Sequence, residues 1–174
     1  WVSRVEASHH DLGVAYVSYT GYRNDDFRPF VYKTTDFGES WTSISANLPD
    51  GPVNVIREHH QNRDLLFVGT DFQLWVSNTG GDRWTSMKLD MPTVPVHDMK
   101  IQERENDLVL GTHGRGAYIV DLAPLVELTP EVLAQDAHFF APEAEVRWIA
   151  DDRANSSSSN FEGESEEAGA SLFY

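Results

Sequence analysis

The chain has 174 residues, 40% hydrophobic and 11% aromatic, enough to bury a core as one ordinary domain or as part of a larger one. Thirteen Lys and Arg stand against twenty-eight Asp and Glu, and the formal charge of −15 works against phosphate backbones and anionic membrane surfaces, so no nucleic acid partner is expected. The absence of cysteine excludes disulfides and thiolate metal sites, and the apolar runs fall far short of the ~20 residues of a membrane span.

The sequence opens on Trp1, inside a strand-like pattern, and reads as cut from something longer; that no signal peptide is visible says nothing about secretion. VSRVEASHHDLGVAYVSY, 2 to 19, predicts two strands around a polar turn. The loop YTGYRNDDFRPF follows at 19 to 30, then the octet TTDFGESW at 34 to 41, which recurs as SNTGGDRW at 77 to 84, an offset of 43. The same offset carries Pro49 onto Pro92 and Val53 onto Val96, and VNVIREHHQNRDLLFVGT at 53 to 70 matches VHDMKIQERENDLVLGT at 96 to 112 after one deletion. The opening copy matches the second at an offset of 51, the eight extra residues falling in the 19 to 30 loop. Three copies of one unit therefore end near Asp121.

Each copy predicts short strands such as VNVIRE, LLFVGT, QLWVS and a tryptophan-led segment, joined by polar turns. Four short antiparallel strands in a period of roughly 40 to 45 residues mark a β-propeller blade. The predicted fold is all-β: a partial propeller of two to three four-stranded blades over 1–148, with a short helix and a C-terminal linker. After Asp121, Thr129 as N-cap and Pro130 as first residue predict a helix over about 130 to 135. HFFAPEAEVRW offers one more edge strand. The acidic, serine-rich segment 149–174 predicts a linker, least ordered over 151 to 168, leading towards a further domain.

TTDFGESW fits the Asp-box pattern of sialidase-like, xyloglucanase-like and sortilin-like propellers. Together with EASHHDLGVAYVSYTGYRNDDFRPFVYK, GPVNVIREHHQNRDLLFVGT and LVLGTHGRGAYIVDL, it resembles the final blades of bacterial sortilin-like proteins labelled glycosyl hydrolases. The resemblance covers residues 1 to 148. It implies that the octet is the turn between third and fourth strands, a joint rather than a site: Thr34 opens it, Asp36 accepts turn amides, Gly38 takes a positive φ and Trp41 is buried between sheets. Ser77, Thr79, Gly81 and Trp84 repeat it, looser because Thr79 replaces the acid. The resemblance also implies an extracellular or periplasmic parent whose remaining blades are this chain's partners.

Propeller geometry puts the loops between second and third strands, and those between blades, on one face, where a glycan or peptide ligand is expected to bind. The extended first loop brings Arg23, Asp25, Asp26 and Arg28 together; they can hold a cation, clamp a sugar hydroxyl or neutralise one another. A glycosidase needs two carboxyls roughly 5 to 10 Å apart, so a second acid has to come from Asp71, Asp98 or outside the chain. THGRG places His113 and Arg115 between permissive glycines, suited to a carboxylate or hydroxylated ligand, or to a salt bridge tying blades together. His97 beside Asp98 joins the same face. The pairs His9–His10 and His59–His60 fall on the opposite face, and no metal or cofactor is expected. No phosphate loop, zinc spacing or Ser-His-Asp arrangement appears. The leading expectation is a ligand-binding scaffold. Its rivals are a glycoside hydrolase fragment whose main acids lie elsewhere and an interaction-only surface module.

Overall fold

A computed structural model of the protein describes residues 1–142. The expected linker, and the edge strand from 143 onward, lie outside the described residues. Three antiparallel meanders follow the three sequence copies. The first is β1 (Val2–Ala7), β2 (Ala15–Gly21), β3 (Asp26–Thr34) and β4 (Thr42–Ser43). The second is β5 (Val53–Glu58), β6 (Leu66–Thr70), β7 (Leu74–Ser77) and β8 (Thr85–Ser86). The third has β9 (Val96–Gln102), β10 (Asp107–Thr112) and β11 (Ala117–Asp121), followed by α1 (Ala123–Val126) and α2 (Pro130–Leu133). In each sheet spatial order equals chain order, as in a propeller blade. Thr129 caps α2, its hydroxyl accepting from Val132 N–H at 3.4 Å. Residues 138–142 add no strand.

The blades stack face to face with β1, β5 and β9 side by side. Alternation decides which side chains meet. Tyr16, Val31, Ile44 and Leu48 of the first blade pack on Ile56, Leu66, Val68 and Trp84 of the second, and Val55, Phe67 and Leu74 on the second blade's other face pack on Met99, Leu108 and Leu110. β6 is buried along its whole length because it lies between two blades. Gly69 is needed there: a Cβ would lie 2.7 Å from Val55 and 2.8 Å from Val96. Leu122 closes the second core just before α1.

The two turns of the octet repeat are nearly superimposable in their hydrogen bonds. Gly38 N–H donates to Thr34 Oγ1 at 2.9 Å and Ser40 N–H to Asp36 Oδ1 at 2.9 Å; Gly81 N–H donates to Ser77 Oγ at 3.0 Å and Arg83 N–H to Thr79 Oγ1 at 3.0 Å. The expected loosening at Thr79 is therefore absent from these shared bonds, because the hydroxyl sits where the first carboxylate oxygen does. What the second turn lacks is the further bond from Ser40 Oγ to Asp36 Oδ2, 2.5 Å. Those donors hold the Asp36 carboxyl at about 2, with Ser40 the main cause. Gly38 and Gly81 have φ of 91° and 100°, conformations that favour glycine.

The tryptophans do not share one fate. Trp84 is 1% exposed, donates from Nε1 to the Ile44 carbonyl at 2.7 Å, and its backbone exchanges two 2.8 Å bonds with the Asn47 amide. Trp41, expected to be buried likewise, is 42% exposed. The reason is direction: Trp84 packs on the preceding blade, and among the described residues no blade precedes β1 to cover Trp41 in the same way. Val2 and Val5 are uncovered on the first sheet for the same reason.

Candidate functional site

Backbone hydrogen bonds stitch the expected loops into one strip. Gly51 N–H reaches the Phe27 carbonyl, Asp71 N–H reaches Pro52, Val94 N–H reaches Phe72 and His113 N–H reaches Pro95, at 2.7, 3.2, 3.2 and 3.0 Å. Each blade-joining segment is thereby tied to a neighbouring hairpin on the same face. Each first strand enters this face through a bulge, the register slipping between Val2 and Arg4, Val53 and Val55, and Val96 and Asp98. The extra residues Ser3, Asn54 and His97 occupy equivalent positions and project three different chemistries.

The eight-residue insertion is not an open loop. It lengthens the β2–β3 hairpin, closed by a single 3-10 turn over Tyr22–Asn24 and by Asp25 at φ 58°. Tyr19 stacks between Phe30 and Tyr32, ring centroids 4.8 and 5.4 Å away, and stiffens the hairpin. The four charged residues do not converge. Asp26 and Arg28 pair in a fork, Nε to Oδ1 at 2.9 Å and Nη2 to Oδ2 at 2.6 Å, which holds the Asp26 carboxyl at about 2. A carboxyl so easily ionised cannot serve as a general acid near neutral pH. Arg23 lies over the Trp1 ring at 4.9 Å, and Asp25 makes no ion pair among the described residues. Neighbours alternate across the hairpin end, so mutual neutralisation holds for one pair only.

Further along the strip, Asn54 Nδ2 donates to Asp71 Oδ1 at 2.9 Å. Asp98 is ion-paired with Arg4 and approached by Arg57 Nη2 at 3.5 Å. This bridge joins the first and third blades across the second. The His97 and His113 rings meet at a tilt, with centroids 5.1 Å apart, on the exposed end of the third blade. Arg115 is exposed and forms no ion pair among the described residues, so the salt bridge considered for it is not made. The unspent groups of this face are Asp25, His97, His113 and Arg115.

Sequence reading missed Phe72. Its ring is 51% exposed beside Gly51, where a Cβ would come within 3.0 Å of it, and it flanks a cavity of about 190 Å³ whose lining mixes Met87, Leu89 and Met91 with Gln73, Lys88 and Thr93. The signal was present in TDFQ, an aromatic placed at a tight loop of the ligand-facing set. Only the tertiary structure shows that the ring lies against Gly51, where a side chain would collide with it.

On the opposite face the histidines are structural. His59 is buried, donates from Nε2 to Asn106 Oδ1 at 2.7 Å and accepts Gln61 N–H at Nδ1 at 3.1 Å, which fixes the neutral Nε2–H tautomer. Burial lowers its proton affinity. His10 Nε2 donates to the His59 carbonyl at 2.9 Å. Glu58, 1% exposed, accepts from Tyr16 Oη at 2.8 Å, Ser8 Oγ at 3.0 Å and His9 N–H at 2.6 Å, and burial together with this carboxylate drives the Tyr16 hydroxyl strongly upward.

Meandering sheets of four, four and three strands stacked around adjoining first strands define the class: an all-β protein built of β-propeller blades, with its ligand-type loops on one face. No family model matches the chain, and no curated protein does. Among solved structures it is similar to an ancestral GH74 enzyme, at 23% identity and TM-score 0.55 over 66% of this chain and 14% of that one. The GH74 xyloglucanase from Xanthomonas campestris matches at 15% identity and TM-score 0.51 over 63% of this chain and 18% of that one. The GH74 enzyme of Niastella koreensis matches at 16% and 0.54, over 68% and 21%. The likeness establishes fold, and the chain spans about a fifth or less of each of these proteins.

Proposed function

We propose that the loop face of these blades is a glycan-binding surface of a larger, extracellular or periplasmic propeller protein of the Asp-box, sortilin-like type. One observation carries the reading: an exposed aromatic ring, Phe72, borders a cavity of mixed lining, Met87, Leu89 and Met91 beside Gln73, Lys88 and Thr93, on the same face as His97, His113 and Arg115, which form no ion pair among the described residues. Pyranose rings present an apolar face to an aromatic ring and hydroxyls to charged or imidazole groups, so a neutral oligosaccharide suits both halves. The octet turns, with their hydroxyl and carboxylate acceptors, support the Asp-box assignment.

The test is a glycan array followed by calorimetry on the complete protein, comparing wild type with Phe72→Ala and His113→Ala. Loss of the captured glycan at unchanged melting temperature supports the reading. Retained binding in both variants, or capture of a peptide and no glycan, overturns it. A second reading, a glycoside hydrolase, is favoured by the GH74 neighbours. In that case at least one of the two acids lies in another blade, because Asp26, Asp71 and Asp98 are each engaged by a donor within this chain and only Asp25 is left. The 174-residue chain is then inactive alone, since facing carboxylates need the opposite blades.

A further inference from the structure

The three blades build a second cavity, of about 280 Å³, at the end of the first strands away from the loop face. Its lining follows the repeat. Glu6, Arg57 and Lys100 are equivalent positions of β1, β5 and β9, and one position later come Ala7, Glu58 and Ile101. His9, His60 and Glu103 form the third set, just beyond or at the strand ends. The frame is threefold repeated while the chemistry is different at every position.

Part of this wall is fixed. Arg57 is ion-paired with Glu6 and donates to the Met99 carbonyl at 2.7 Å, and Glu58 is held by its three donors. The His9 ring lies 3.6 Å from Glu58, and the His60 ring leans on His59 with centroids 4.6 Å apart. Two opposite charges are unspent. Lys100 and Glu103 both line the cavity, are exposed, and form no ion pair among the described residues, with each other or with a neighbour. Ile101, 7% exposed, and Ala7 supply the apolar part of the lining.

We infer that this cavity is a binding site for a free α-amino acid, its ammonium on Glu103, its carboxylate on Lys100 and its side chain against Ile101 and Ala7. The size is right for one small molecule, lying at the lower edge of the roughly 300–1,000 Å³ range of ligand pockets. A simple carboxylate would meet three glutamates against Arg57 and Lys100, and a simple amine would leave Lys100 opposing it. A zwitterion meets both free charges and adds no net charge to the site.

The experiment follows the ring resonances of His9 and His60 in the 174-residue chain during titration with L-leucine, N-acetyl-leucine, which lacks the ammonium, and leucinamide, which lacks the carboxylate. Leucine is expected to give saturable shifts, and each blocked analogue to bind about tenfold more weakly, the loss of one charge-assisted hydrogen bond. Lys100→Met should abolish the preference over leucinamide, and Glu103→Gln the preference over N-acetyl-leucine; both positions are exposed, and an unchanged melting temperature verifies the fold. Absence of saturable shifts at millimolar leucine, equal binding of leucine and leucinamide, or preferences unaltered in both variants overturns the inference.

Discussion

Trp84 and Trp41 occupy equivalent repeat positions, so replacing each with alanine isolates what burial against a preceding blade contributes. Trp84 is 1% exposed and its Nε1 serves the Ile44 carbonyl at 2.7 Å. Truncating a buried large aromatic costs about 3–5 kcal/mol through lost transfer energy and the residual cavity. The Ile44 carbonyl loses its side-chain donor in the same step, which puts Trp84→Ala near the top of that range. Trp41 is 42% exposed and lacks the equivalent partner, so Trp41→Ala is expected to cost about 1 kcal/mol, as for a half-covered surface residue. Urea unfolding followed by far-UV circular dichroism reads both. Trp84→Phe separates packing from hydrogen bonding and should lose about 1–3 kcal/mol, the cost of an unpaired buried carbonyl. Equal losses for the two alanine variants would refute the assignment of blade order and packing direction.

Acid should weaken the fold through His59. Its proton affinity is lowered in the folded state from an ordinary value of 6.5, chiefly by burial, so the unfolded chain takes up the proton first as pH falls. Stability contributed by neutral His59 is fully present above about 6.5 and declines below it, and protonation of Nδ1 also breaks the bond from Gln61 N–H. Denaturant midpoints between pH 7.5 and 5 should fall less in His59→Asn than in wild type; parallel curves would remove His59 from the explanation. Tyr16→Phe should cost about 1–3 kcal/mol because Glu58 keeps its burial and loses a donor, read by thermal melting against wild type. Phe37 holds φ 61° where the second turn has Gly80 at 64°, so Phe37→Gly is expected to be neutral or to stabilise by up to about 1 kcal/mol; a loss above that would show that the Phe37 ring beside Gly13 contributes real packing.

The fold was legible in the sequence because a repeat states its own period. An offset of 43 residues aligned TTDFGESW with SNTGGDRW, one of 51 aligned the opening copy with the second, and alternation in VNVIRE and its copies marked the strands whose two faces the neighbouring blades cover. Loop sidedness followed from the same periodicity, and the backbone bonds joining Gly51 to Phe27 and Asp71 to Pro52 bear it out. Tertiary structure alone decided which groups are spent. Arg28 folds back on Asp26 and leaves Asp25 free, Asp98 is claimed by Arg4 from two blades away, and Trp41 stays uncovered although its sequence context matches that of Trp84. The cavity lined by Lys100 and Glu103 was equally hidden. Sequence periodicity reports what each residue shares with its counterpart one blade away, whereas the partner of Trp84 lies 37 positions away and that of Asp98 lies 94 away, and such groups meet only when the blades stack.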